Sequence, residues 1–438
     1  MQTQQEAWQT LAKAKVAATK SEIPQEWVLG QADLEDAKNQ RQLSGPFIEK
    51  FLDKEELEII RNDSVPLVEK IASGQYTALQ VTRAYCKTAA IAHQINPCLH
   101  EILFASALSR ARELDAHFSA HKTPQGPLHG LPVSLKDQFH VRGADTTMGY
   151  VGWIGTHEGD RSPGKARSAQ SQLVGELLSL GAVLYCKRAA DALARRDRQQ
   201  LDRADVESGQ PASVLRGFVG RDVANTNPGQ TTHPSSVGFM STSIDALRLV
   251  MASVLSTQPW LRDPEVISIP WRQEIADSTL ERASPDGAAN DRLPLKLGIY
   301  WTDGVVGPHP PVLRGLHTVL NAVKKAGHKV ETSHSLIISL LEWSLLMVWY
   351  QKVVDWNPPL HSTARGVHWA FLMADGAHDI HKQLSLSGEP LIPDLEEWFQ
   401  LRDPINLLEY QDLTLQGRDY CEAYSDYWNS TADGDQGQ

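Results

Sequence analysis

Apolar positions recur at helical spacing over long parts of the chain. Residues 1–60 read as charged helices with few strand signals, an N-terminal helical region that packs around a core encoded later. Thr77-Ala-Leu-Gln80 has the form of a capping box, with Thr77 as N-cap and Gln80 reaching back to it. Leu79, Ala84, Tyr85, Thr88 and Ile91 follow on one helical face. Ile102, Ala105, Leu108, Ala111 and Leu114 define a second helical stretch, Glu101 to Phe118.

The texture then changes. Gly126-Pro-Leu-His-Gly-Leu-Pro-Val-Ser-Leu-Lys136-Asp137 is rich in turn residues and ends in a short apolar run, Leu131 to Leu135. Such a run reads as a buried strand with Lys136 at its end. Ser171 to Leu180 reads as a helix stopped by Gly181, and Ala182 to Cys186 as the next buried strand. A similar alternation recurs at 293–333. Leu295 to Trp301 is strand-like, Pro310-Pro311 open a helix, Gly327 stops it, and His328 to Glu331 starts another strand. Strands alternating with helices predict an α/β fold with a mixed, twisted central sheet wrapped by helices.

Three stretches stand apart. Arg188 to Glu207 holds five Arg and five acidic residues with little periodicity, and 188–216 has no aromatic residue. Residues 273–294 are polar and read as a surface connection. The end, 431–438, reads as a polar tail. The expected organisation is therefore an N-terminal helical region, 1–60, then an α/β domain over 61–430 interrupted by the atypical segment 188–220, then the tail.

Composition narrows the classes. With 438 residues and 41% of them apolar, the chain can bury a sizeable core. Its net charge of −11 argues against nucleic acid or an anionic membrane as the main partner. Cys86, Cys98, Cys186 and Cys421 form no CxxC pair and are too few for a disulfide scaffold, which fits a reducing compartment. The opening Met1-Gln-Thr-Gln-Gln-Glu lacks a basic segment followed by an apolar stretch, and no run reaches 18 apolar residues. A cytoplasmic protein is the expectation.

Lys136 is the most informative position. A lysine closing an apolar strand loses hydration, and partial burial lowers its pKa toward the range of a useful base. The plainer alternative is an edge lysine that pairs with Asp137 or reaches to water. His378-Asp-Ile-His381 is an HxxH without a third ligand or a helix-borne Glu, so it reads as structural and no metal site is expected. The charges at 188–207 balance and lack interleaved aromatics, which fits a solvated segment better than a nucleic-acid patch. Trp343 to Trp356 is apolar on all sides and reads as core, with a secondary role lining a pocket.

Gly130-Leu-Pro-Val-Ser-Leu-Lys136-Asp137 followed by Gly143-Ala-Asp-Thr-Thr-Met-Gly149 resembles the lysine-bearing segment of the amidase signature family. The likeness continues through Gly149 to Gly155, Leu177 to Lys187, Val223 to Gly229, Met240 to Leu247, Gln258 to Pro264, Asp303 to His309 and Ala374 to Gly376. It is nearest to the acetamidase-like, general amidase branch. The resemblance implies hydrolysis of a small carboxylic amide to an acid and ammonia or an amine, without a cofactor. It further implies a nucleophilic Ser, a bridging Ser held beside it by a cis peptide bond, and a Lys as ultimate base. Lys136 matches that Lys, with Gly130, Pro132 and Asp137 as supporting motif residues. A neutral Lys taking a proton through a hydroxyl is sound chemistry, and backbone N–H groups of glycine-rich loops would hold the oxyanion.

The chain also departs from the family. Neither the Gly-Gly-Ser-Ser-Gly-Gly-type segment of the bridging Ser nor the Gly-Gly-Ser-Ile-Arg-type segment of the nucleophile occurs in it. Arg188 to Gly220 stands where they are expected, and a C-terminal part of the family pattern is also expected beyond Gln438. Ser235 and Ser236, in His233-Pro-Ser-Ser-Val-Gly238, are weak stand-ins, and Ser134 and Ser213 weaker still. The nucleophile is therefore unassigned, and the expected fold incomplete. Three readings stay open: an amidase whose loops are missing from this sequence, a catalytically inactive relative kept for binding or scaffolding, or an unstable fragment with unpaired strand edges. The partner expected is a small-molecule amide, with no nucleic acid and no membrane. The amide's identity and the oligomeric state are open.

Overall fold

The structure, a computed structural model, describes residues 2–40, 45–188, 212–215, 223–232, 237–283, 296–303, 305–325, 329–330, 352–355 and 357–431. The chain divides into two compact units: Met1–Trp271 with Ala377–Arg402, and Arg272–Gly376 with Asp403–Gln438.

The first unit begins as expected, with helices: α1 (Gln2–Ser21), α2 (Gln31–Asn39), α3 (Pro46–Glu49), α4 (Lys54–Arg61) and α5 (Ser64–Ala72). The central helix α6 (Ala78–Ile95) starts at the capping box. Thr77 Oγ1 accepts from Gln80 N at 3.0 Å, and Gln80 Oε1 accepts from Thr77 N at 2.8 Å. A carboxylate from elsewhere completes the cap: Asp115 accepts from Ala78 N at 2.7 Å and Leu79 N at 3.0 Å. Those N–H groups have no partner inside the helix, and a negative charge there also complements the helix dipole.

The reading of Glu101 to Phe118 as one helix is corrected. Leu99–Ile102 is strand β1, and helix α7 runs over Phe104–His121. Pairing with a distant strand overrides the local periodicity: β1 lies antiparallel to β3 (Val183–Arg188), with Ile102 opposite Cys186. Strand β2 (Pro132–Lys136) flanks β3 on the other side, parallel to it, in the order β1-β3-β2. Helix α8 (Gln172–Ser179) makes the return from β2 to β3. Gly181 ends it with φ of 93°, and a Cβ there would lie 2.8 Å from His129 Cα, so both conformation and space call for glycine. The result is a small mixed sheet in a helix-rich α/β fold. Its core joins α6, α7, α8 and the sheet through Val81, Leu114, Leu128, Val174 and Val183, all essentially without exposure.

Strand β4 (Ala212–Leu215), which contains Ser213, pairs antiparallel with β5 (Val237–Phe239). Within the same unit, Ala377–Arg402 is fastened by Trp153, whose Nε1 donates to Gln383 Oε1 at 2.9 Å, and by Glu389, which accepts from Val151 N at 2.8 Å.

The second unit carries the other expected alternation. Strand β6 (Lys296–Ile299), helix Pro310–Lys325 and strand β7 (Lys329–Val330) follow in order. The two strands are not neighbours, because β8 (Lys352–Asp355) lies between them, parallel to both. Helix His361–Leu372 packs on helix Leu407–Ser430, with the rings of Phe371 and Tyr410 edge to face at 5.2 Å. Within the surface connection read at 273–294, Gln273–Ala283 forms a mostly exposed helix. Of Trp343 to Trp356, only Lys352–Asp355 lies among the described residues.

Among the described residues, no helix is long and apolar enough to cross a membrane.

Candidate functional site

The site is built at the C-terminal end of the β2–β3 pair. Parallel register sets Leu135 beside Lys187 and Lys136 beside Arg188. Neighbours in a parallel ladder share a face of the sheet. Leu135 and Lys187 therefore turn inward, whereas Lys136 and Arg188 are exposed. The expected partial burial of Lys136 is thereby corrected: the pleat that buries Leu135 turns the next side chain out. Nor does Lys136 pair with Asp137, because Asp137 belongs to another lysine.

That lysine is Lys187, which sequence reasoning passed over although it too closes an apolar strand. Its Nζ lies 3.0 Å from Asp137 Oδ1 and donates to Asp145 O at 2.6 Å and Thr146 Oγ1 at 2.9 Å. Two hydrogen-bond acceptors and a carboxylate oxygen surround the nitrogen, the environment of an ammonium ion paired with a carboxylate. Burial pulls the Lys187 pKa down, opposed chiefly by the charge and hydrogen bond of Asp137. Burial pushes Asp137 up, but the His100 hydrogen bond and the Lys187 charge outweigh it and hold the carboxyl well below the usual carboxylate range.

Asp137 organises the loop that follows it. Its Oδ2 accepts from Thr147 N at 3.1 Å, Thr147 Oγ1 at 2.9 Å, Met148 N at 2.8 Å and His100 Nδ1 at 3.1 Å. Met148 has φ of 50° and Gly149 φ of 90°. A non-glycine residue in this region costs on the order of 1 kcal/mol, and the bonds to Asp137 hold it there.

Asp145 forms a second layer. It takes a forked pair of bonds from Arg167, at 2.7 and 2.9 Å, and pairs with Lys15 at 2.9 Å. Lys15 also pairs with Glu101. Burial pushes Glu101 up, partly opposed by Lys15. Asp137, Asp145 and Glu101 thus face Lys187, Lys15 and Arg167 in a balanced network that locks α1, β1, β3 and the 137–149 loop together.

The other motif residues have structural roles beneath this site. Gly130 has φ of 76°, and a Cβ there would stand 3.0 Å from Ala78 Cβ. Pro132 opens β2, where its missing N–H breaks no ladder in mid-strand. Ser235 and Ser236 lie outside the described residues, as does most of Arg188 to Gly220. His378 and His381 do not converge: their Nε2 atoms bond Arg402 O at 3.1 Å and Phe399 O at 2.8 Å.

A cavity of about 470 Å³ opens on the α1 side of this network, lined among others by Lys15, His93, His100, Thr147 and Tyr150.

Comparison with known proteins gives a consistent result. The family model described as Amidase matches residues 80–195 and 216–385, and the match lapses between them. The acetamidase of Emericella nidulans is 32% identical over 474 residues, covering 97% of this chain and 78% of that protein. The acetamidase of Aspergillus oryzae is 30% identical, covering 96% and 78%. The first alignment is longer than the 438-residue chain, so the relative carries residues inside the aligned span that have no counterpart here. A solved structure of fatty acid amide hydrolase shares the fold, with a TM-score of 0.76 at 22% identity, covering 97% of this chain and 76% of that one.

Proposed function

As the chain belongs to the Amidase family, we propose that the complete gene product hydrolyses a small carboxylic amide, with Lys136 as the base. Supporting this reading is the placement of Lys136: it closes β2 with an exposed side chain for which no ion pair is found among the described residues, while the adjacent Asp137 is held by Lys187 and the loop. In the proposed reaction a serine hydroxyl gives its proton through a second serine to neutral Lys136 and attacks the amide carbon. The C–N bond breaks as the nitrogen takes the proton, and ammonia or an amine leaves. Water then cleaves the acyl-serine ester to the acid. Backbone N–H groups of a glycine-rich loop hold the oxyanion in both halves. Similarity to two acetamidases supports a small amide as substrate.

We infer further that the chain as written does not carry this reaction through. The glycine/serine-rich strings of the family are absent from it, the family match lapses at the place where they belong, and the alignment needs residues that this chain lacks. On this reading the chain keeps Lys136 and lacks the family's two glycine/serine-rich strings. Sequencing the transcript from the codon for Tyr185 to the codon for Val223 tests this division. If the transcript encodes glycine/serine-rich loops, its product should release ammonia from acetamide and lose that activity in Lys136→Ala. If it encodes the printed residues, an inactive relative is the right reading. A loop-bearing product that hydrolyses amides equally well without Lys136 overturns the assignment of the base.

A further inference from the structure

Helix α1 is fastened to the rest of its unit by charge more than by core packing. Between Ala7 and Ser21 only Thr19 is buried, and none of these side chains belongs to the hydrophobic core. The chain just after it is anchored differently. Ile23 and Trp27 lie in the core, the Trp27 ring meets Phe104 edge to face at 5.8 Å, and Gln94 Nε2 donates to Trp27 O at 2.9 Å. Exposed Ser21 and Glu22 join the two, so a loosely seated helix meets a fixed segment across two residues.

Lys15 makes the main attachment. Its Nζ donates to Asp145 Oδ2 at 2.9 Å and pairs with Glu101. Both carboxylates belong to the body, on the 137–149 loop and β1, and Arg167 holds Asp145 independently through two bonds. One more bond runs from Thr19 Oγ1 to His100 O at 3.2 Å. Behind these contacts lies the cavity of about 470 Å³, with Lys15, Val16 and Thr19 in its α1 wall and Leu99, Thr147 and Tyr150 in the others. Val16 borders the cavity yet is 65% exposed, so the α1 wall is open at its rim.

The closed position also carries costs that opening relieves. The Trp8 indole N–H is buried with no hydrogen-bond partner among the described residues. Burial pushes the Glu101 carboxyl up, against the charge of Lys15. The seat of α1 therefore sets one ion-pair latch against desolvated polar groups and a cavity, the balance of an element that opens locally.

We propose that α1 is a lid, hinged at Ser21–Glu22 and latched by Lys15 on Glu101 and Asp145, whose opening uncovers the cavity walls that carry His100, Thr147 and Tyr150. His100 and Thr147 are both held by Asp137, so what the lid covers belongs to the same network as the candidate site. Opening needs neither Lys136 nor a serine nucleophile, and takes place in the 438-residue chain as it stands.

The test is hydrogen exchange read by mass spectrometry on the full 438-residue chain, joined to hydroxyl-radical footprinting. Amides of α1 from Ala12 to Lys20 should exchange roughly tenfold or more faster than those of α6, as a local opening does. Lys15→Met leaves Glu101 without its ion pair, and should speed α1 about tenfold further with α6 unchanged. In that variant Tyr150, buried in a cavity wall, should oxidise faster, while Tyr85 of the core should not. Adding Glu101→Gln to Lys15→Met should return most of the protection, since the carboxylate left unpaired is then gone. Lys13→Met, which removes an exposed charge from the same helix, should change nothing. Should Lys15→Met fail to fold, the contrast of α1 with α6 in the parent and the double variant still decide. Exchange of α1 and α6 at one rate, Lys15→Met that leaves α1 or Tyr150 as in the parent, equal gains at Tyr150 and Tyr85, no recovery in the double variant, or Lys13→Met acting like Lys15→Met would each overturn the proposal.

Discussion

Lys187 Nζ stands 3.0 Å from Asp137 Oδ1, and neither side chain has any solvent exposure. Removing one member strands the other charge away from water. Lys187→Met should therefore destabilise the fold by about 3–5 kcal/mol in urea denaturation, and Asp137→Asn, which keeps much of the loop bonding, by less. The double variant should cost clearly less than the two single losses added together, because no lone charge remains. Additive losses would show that the pair is not coupled.

Acid should weaken the protein in two stages. His93 is held at about 4 by burial against an ordinary 6.5, so between those values the unfolded chain binds a proton that the folded chain refuses. Stability therefore falls as pH drops through this window, by roughly 2–3 kcal/mol at full extent. Asp137 acts lower. Its folded pKa lies below the ordinary 3.8, so its contribution is complete above that value and is lost as pH falls further, through the folded pKa. Urea midpoints compared at pH values of about 7 and about 4.5 should differ much less in His93→Gln than in the parent. Equal differences would remove His93 from the account.

Gly181→Ala should cost about 1–3 kcal/mol, from a strained positive φ and the approach of its Cβ to the His129 backbone. An alanine variant that melts with the parent would contradict the tightness of the α8–β3 turn.

Trp153→Phe should cost about 1–3 kcal/mol, since it leaves the acceptor of buried Gln383 without its indole donor. Limited proteolysis should then cut earlier within 377–402, the segment this bond fastens. An unchanged digestion pattern would place the anchor elsewhere.

Much of the framework was legible because local chemistry decided it. Thr77 and Gln80 cap α6, Gly181 ends α8, and the Leu131 to Leu135 run yields β2 with Lys136 at its tip. Leu99–Ile102 was not legible: four residues carry little period, and their strand exists through pairing with β3, most of a hundred residues later. The same non-local cause hid Lys187. Lys136 and Lys187 look alike in sequence, each closing an apolar run, and only the register separates them by setting Lys187 beside inward-facing Leu135. His93 and His100 carried no motif at all. Their roles come from backbone N–H groups and a carboxylate that the fold brings to them.

The central claim is that Lys136 is a base without its serine partners in the 438-residue chain. The direct measurement is ammonia release from acetamide and benzamide by that purified protein, shown to be folded by its melting transition. The account predicts no release above the uncatalysed background. Release that disappears in Lys136→Ala, with folding retained, would contradict it and show that another residue of this chain serves as the nucleophile.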